Sequence, residues 1–125
     1  KIPLKPKPEE KPFDNFMIEE FIPALKLSLK KYSDKEPHVE LIEGERPVVG
    51  GRCWMVYGQL PENRRFWLSF QNDSIGSRKT IALAETDTEP SLLESFLIDE
   101  KRITLPLLLS RTLQRLNGQK WLGAN

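Results

Sequence analysis

The sequence is poor in what most catalytic chemistry requires. Its 125 residues contain one cysteine, Cys53, and one histidine, His38. A lone cysteine cannot close an internal disulfide, so a disulfide-stapled scaffold is excluded. One Cys and one His cannot furnish a structural zinc cluster, and no acidic loop has calcium-ligand spacing. Gly50-Gly51 is followed by Arg52, without the Lys-Ser/Thr pair and helix of a phosphate loop, and reads as a turn into a strand. No uncharged run approaches the roughly 20 apolar residues of a bilayer-spanning helix. A dominant charge is missing too. Nineteen Lys and Arg against 18 Asp and Glu leave a net +1, so no overall field draws the chain to nucleic acid or a membrane.

Two constellations remain to be weighed as chemistry. Cys53 and His38 each fall in an expected strand, with no oxyanion-hole motif beside them, and a lone cysteine is more often a small core residue. Glu94, Asp99 and Glu100 could pair as acid and base, but they lie just before a helix start, where the dipole favours acids in any case. No catalytic residue, metal or cofactor is therefore expected, and the chain is not expected to be an enzyme.

What is present is a well-punctuated domain. Residues 1–12 alternate Lys with Pro and read as a flexible Lys/Pro-rich tail, either a solvated linker or a segment that orders against a partner. The chain starts at Lys1 rather than Met, which is read as a processed or trimmed N-terminus. Residues 13–125 read as one domain.

Residues 14–32 read as a helix whose one side is marked by Phe13, Phe16, Met17, Phe21, Ala24, Leu25 and Ser28, and Pro23 inside that pattern should kink or divide it. From Pro37 the period changes to two. Residues 38–42 form a short candidate strand, 53–60 (CWMVYGQL) a strong one, 64–70 (RRFWLSF) its return, and 78–84 (RKTIALA) the last. Residues 103–116 repeat leucine at three- and four-residue steps after the capping Thr104 and the early Pro106, and Asn117-Gly118 is a stop. The expectation is an α+β fold: an antiparallel meander of three to four strands flanked by an N-terminal and a C-terminal helix on one face.

The near-neutral total hides opposed blocks. Residues 85–100 carry six acids and no Lys or Arg, whereas 101–125 carry Lys101, Arg102, Arg111, Arg115 and Lys120 and no acid. Such blocks commonly neutralise one another across a folded surface. The surface candidate is the Arg64–Trp67 strand with Tyr57 and Trp54 opposite. Basic side chains interleaved with aromatics suit either single-stranded nucleic acid or an acidic protein partner, and the second asks less of the sequence.

The ordered words CWMVYGQLP, RRFWLSF, PSLLESFLIDEKRITLPLLL and LQRLNGQKWLGAN, with KPFDNFMIEEFIPALK before them, resemble a family confined to oxygenic phototrophs. Its plant member is similar to subunit V of the chloroplast NAD(P)H dehydrogenase-like complex, the photosynthetic relative of respiratory complex I. The resemblance implies a non-catalytic accessory subunit, peripheral on the stromal side of the thylakoid or the equivalent cytoplasmic face in cyanobacteria. It would dock on the hydrophilic arm and support the end that accepts electrons from ferredoxin, a small acidic protein, in cyclic flow around photosystem I. Partners implied are other subunits of that complex, with ferredoxin as a further candidate. Arg64, Arg65, Trp67, Arg78, Lys79 and Lys120 are the residues expected to meet them. A transient assembly factor, or a small single-stranded nucleic-acid-binding module, are the alternatives.

Overall fold

A computed structural model describes residues 7–32, 36–90, 92–98, 100–119 and 121. The fold is α+β, as the change of period from 3.6 to two predicts. Helical residues come first: α1 (Phe13–Phe16), a π-helical turn (Met17–Phe21) and α2 (Ile22–Lys30) run on without a break. Strands β1 (His38–Glu45), β2 (Arg52–Leu60), β3 (Arg64–Phe70), β4 (Lys79–Ala84) and β5 (Leu92–Phe96) follow, then α3 (Leu105–Gly118). The strands pair antiparallel in sequence order, each with the next.

Pro23 does not split the first helix. The Ile22 N–H reaches back five residues to the Met17 carbonyl, and this widened turn admits the proline within a continuous helix. The extra width also rotates the following turn, so Ile22, Leu25 and Leu29 are buried while Ala24 and Ser28 are only half-buried. The fifth strand exceeds the three to four expected. The segment LLESF lacks a β-branched run, and its pairing is decided by β4, through contacts such as Ile81 opposite Glu94 and Lys79 opposite Phe96, rather than by its own propensity.

Part of the expected tail is held to the domain. Pro8–Glu10 form a 3-10 turn, Glu9 Oε2 accepts from the Leu105 N–H at 2.6 Å, and Lys11 bridges Glu19 and Glu20. Residues 1–6 lie outside the described residues.

Period two assigns each strand residue to a face. Val39, Val56, Phe66, Leu68, Ile81 and Leu83 share the face that packs on the helices, where Phe16, Met17, Phe21, Leu25, Leu108 and Leu116 complete the core. Phe13 closes one end, edge-on to Phe70 at 5.2 Å between centroids and tilted against Trp54 at 6.3 Å. Trp54 is thus a core-side residue and not a neighbour of Tyr57. Both helices lie on one face, and among the described residues no helix covers the other.

Candidate interaction surface

The face that no described helix covers is set by the residues that alternate with the core; Met55, Ser69, Ala82 and Ala84 on it are nonetheless buried. Register aligns Tyr57 with Trp67 and Trp67 with Ala82, while Gln59 faces Arg65 and Arg65 faces Ala84. Tyr57 and Trp67 touch with centroids 5.4 Å apart, and His38 sits 6.1 Å beyond Tyr57. The Arg65 guanidinium lies 5.7 Å from the Trp67 ring centre, within cation–π range. Arg65 is aimed by its donations to the Asn63 carbonyl at 3.3 Å and to the Thr88 carbonyl. The result is an ordered row of rings with a positive end.

Beside this ridge runs a low track. Ser69 and Thr80 face one another across β3 and β4, are 2% and 9% exposed, and among the described residues their hydroxyl oxygens have no hydrogen-bond partner. A buried hydroxyl without a partner costs free energy relative to solvent.

The six residues expected to form the partner surface separate. Arg65 and Trp67 lie together on the open face, and Arg78 extends from the start of β4 on the same side. Among the described residues Arg78 has no ion-pair partner, and it lines a notch of about 190 Å³ with Arg46, Arg52 and Gln71. Arg64 alternates to the helix side, half-buried, with its guanidinium 3.4 Å from Glu62 and 3.6 Å from Glu85; among the described residues its Nε has a charge neighbour but no hydrogen bond. Lys79 is 3% exposed on the helix side. Its ammonium donates to the Ile75 and Ser77 carbonyls at 2.8 Å each, and burial lowers its pKa. Lys79 is buried and not free to meet a partner, because parity turns it inward; Arg64 stays half-exposed on the helix side, apart from Arg65. Lys120 lies outside the described residues.

The acidic and basic blocks meet one another. Arg115 of α3 grips Glu94 of β5 through two donations of 2.8 Å, and the guanidinium holds that carboxyl below the usual range. Arg111 approaches Glu100 at 3.5 Å. Glu85 accepts from the Trp121 indole at 2.9 Å and from Gln119 at 3.3 Å. Three of the six acids, Glu85, Glu94 and Glu100, thereby hold the C-terminal segment.

The other chemical candidates do not converge. His38 pairs with Gln59 and Cys53 with Gly44, so six residues of strand, about 20 Å, separate the imidazole from the thiol. Among the described residues no group of three or more His, Cys, Asp or Glu could hold a metal ion, and no helix is long and apolar enough to cross a membrane. Asp99 lies outside the described residues.

The geometry defines a class: a small α+β domain with one sheet face packed by helices and the other carrying a half-exposed aromatic row with an arginine. The chain belongs to the family DUF2996, described as a protein of unknown function, which matches residues 7–123. No curated protein matches it.

Proposed function

We propose that this chain is a non-catalytic accessory subunit of the photosynthetic NAD(P)H dehydrogenase-like complex. It sits peripherally on the stromal or cytoplasmic side of the thylakoid, docks on the hydrophilic arm, and stabilises the ferredoxin-accepting end. The identity of the complex rests on the resemblance of the sequence words to subunit V. The docking role rests on one observation: the sheet face that no described helix covers presents Arg65 over Trp67 beside Tyr57. Trp, Tyr and Arg are the residue types that dominate binding energy at protein interfaces. An arginine held against a ring also suits an acidic neighbour, and Arg78 places a second cation at the opposite end of the strands.

The test is migration of the native protein in a mildly solubilised thylakoid extract, with wild type compared against Arg65→Glu/Trp67→Ala. Co-migration of wild type with the large complex, and loss of it in the double variant, is the expected result. A wild-type protein that runs free overturns the subunit reading and favours a transient assembly factor. The same ring row also fits single-stranded nucleic acid. That reading requires affinity that falls steeply with salt and disappears with Trp67→Ala.

A further inference from the structure

Three arginines gather where the β1–β2 and β3–β4 loops close one end of the sheet. Arg46 leads out of β1, Arg52 opens β2 and Arg78 precedes β4. With Gly51, Cys53 and Gln71 they line one notch of about 190 Å³. The register explains the meeting. Gly44 pairs with Cys53, Trp54 with Phe70, and the Gln71 N–H donates to the Arg78 carbonyl at 2.9 Å. Arg46, Cys53, Gln71 and Arg78 therefore share the parity of the face that no described helix covers, and Arg52 joins them from the strand end.

Arg46 is set in place by its own loop. Its Nε donates to the Gly50 carbonyl at 3.2 Å and its N–H to the Gly51 carbonyl at 2.9 Å. Gly50 and Gly51 hold φ at +76° and +94°, a backbone that glycine adopts without steric cost. Arg64, Arg111 and Arg115 each meet a carboxylate elsewhere in the chain. At the notch the guanidiniums are poorly matched. Among the described residues Arg78 has no ion-pair partner, Arg46 has only the Gly50 carbonyl, and Arg52 has only Glu43 at 3.4 Å. Like charges brought together repel, and an anion between them reverses the sign of the interaction.

We propose that this notch binds a compact phosphate-class dianion, either the free ion or the phosphate of a small monoester. Guanidinium forks match phosphate oxygens two at a time, and three of them exceed what a single carboxylate can use. The notch is smaller than the roughly 300–1,000 Å³ of sites that enclose a drug-sized ligand, so the phosphoryl group itself is what it grips. An extended acidic surface is a poorer match. Glu43, Glu45 and Asp73 lie at the same end of the sheet and offset the three arginines at a distance. None of these acids lines the notch. Glu43 and Glu45 have helix-side parity, and Glu45 accepts from the Gly51 N–H at 2.8 Å. Only an ion small enough to touch the guanidiniums gains from all three. Val48 and Val49 are exposed at the tip of the β1–β2 loop, which makes an anionic bilayer the control. The notch lies at the far end of the strands from Arg65 and does not depend on which complex the protein joins.

The experiment titrates the full chain at constant ionic strength with sodium phosphate and with glycerol phosphate, using sodium chloride as reference, followed by amide NMR. Saturable shifts confined to residues 46–53 and 71–78 are expected with phosphate and not with chloride. Arg78→Gln should weaken phosphate binding at least about tenfold, with an unchanged melting temperature because Arg78 is exposed. Arg78→Lys should restore only part of the affinity, since it returns the charge without the fork. Glycerol phosphate binding at least as tightly as the inorganic ion assigns the site to an ester; binding of the inorganic ion alone assigns it to free phosphate. Three results would each overturn the proposal: shifts that rise linearly and equally with phosphate and chloride, wild-type affinity in Arg78→Gln, or attachment to anionic phospholipid vesicles without saturable phosphate binding.

Discussion

Glu9 Oε2 accepts a hydrogen bond from the Leu105 N–H at 2.6 Å, so a residue 96 positions earlier in the chain caps the start of α3. Thr104 takes the next available donor, the Leu107 N–H, at 3.3 Å. The first N–H groups of a helix have no partner within it, and a carboxylate there also meets the positive end of the dipole.

Glu9→Ala is therefore expected to destabilise the domain by about 1 kcal/mol. Thr104→Ala should cost a similar amount, and because the two caps serve different N–H groups, the double variant should lose close to the sum. Urea denaturation of the four proteins checks this; a Glu9→Ala protein as stable as wild type would mean the contact contributes nothing.

The Glu9 cap shows where sequence reading stops. Thr104 was legible because a capping residue is local to its helix, whereas no local pattern announces a partner 96 residues away. Strand parity was legible in RRFWLSF, which separates Arg65, Trp67 and Ser69 from Phe66, Leu68 and Phe70. Applied one step further it also puts Arg64 and Lys79 on the helix side, away from Arg65, and buries Lys79. Pro23 was visible as an irregularity, but the π turn that absorbs it depends on packing. β5 was hidden in an acidic segment because Glu94 serves Arg115, a tertiary demand that outweighs local propensity.

The Arg115–Glu94 bridge gives the protein an acid-sensitive component. The folded-state pKa of Glu94 is lowered from 4.5, chiefly by the Arg115 hydrogen bonds. A depressed carboxylate pKa contributes stability above the unfolded value, and that contribution is lost as pH falls through the folded pKa. Glu94→Gln should therefore reduce stability at pH 7 and flatten the pH dependence below about 4.5. The pair is partly exposed, so the loss at pH 7 should stay under about 1 kcal/mol. Denaturation midpoints between pH 3 and 7 decide it, and parallel curves for the two proteins would count against the linkage.

Val48 holds φ at +73° in the β1–β2 loop, an unusual conformation for a β-branched residue. Its side chain is exposed, so little packing offsets the strain. Val48→Gly should raise stability by about 0.5–1 kcal/mol, the relief of strain exceeding the added chain entropy of glycine. A fall in the melting temperature would imply that the valine has packing value the conformation conceals.

Gly58 and Phe66 face each other across β2 and β3. A Cβ built on Gly58 would stand 2.1 Å from Phe66 Cε1 and 2.3 Å from Cζ. The ring has no solvent to move into, because Phe66 is fully buried in the core. Gly58→Ala must displace that ring or the strand beneath it, and overpacking of this kind costs about 2–3 kcal/mol. The same glycine lets the ring lie flat over the strand, so shrinking the ring should relieve the clash: Phe66→Leu alone is destabilising through lost volume, but Gly58→Ala/Phe66→Leu should be more stable than the sum of its parts predicts. A double-mutant cycle in urea reads that coupling directly. Strict additivity would mean that the backbone, rather than the ring, yields to the new methyl group.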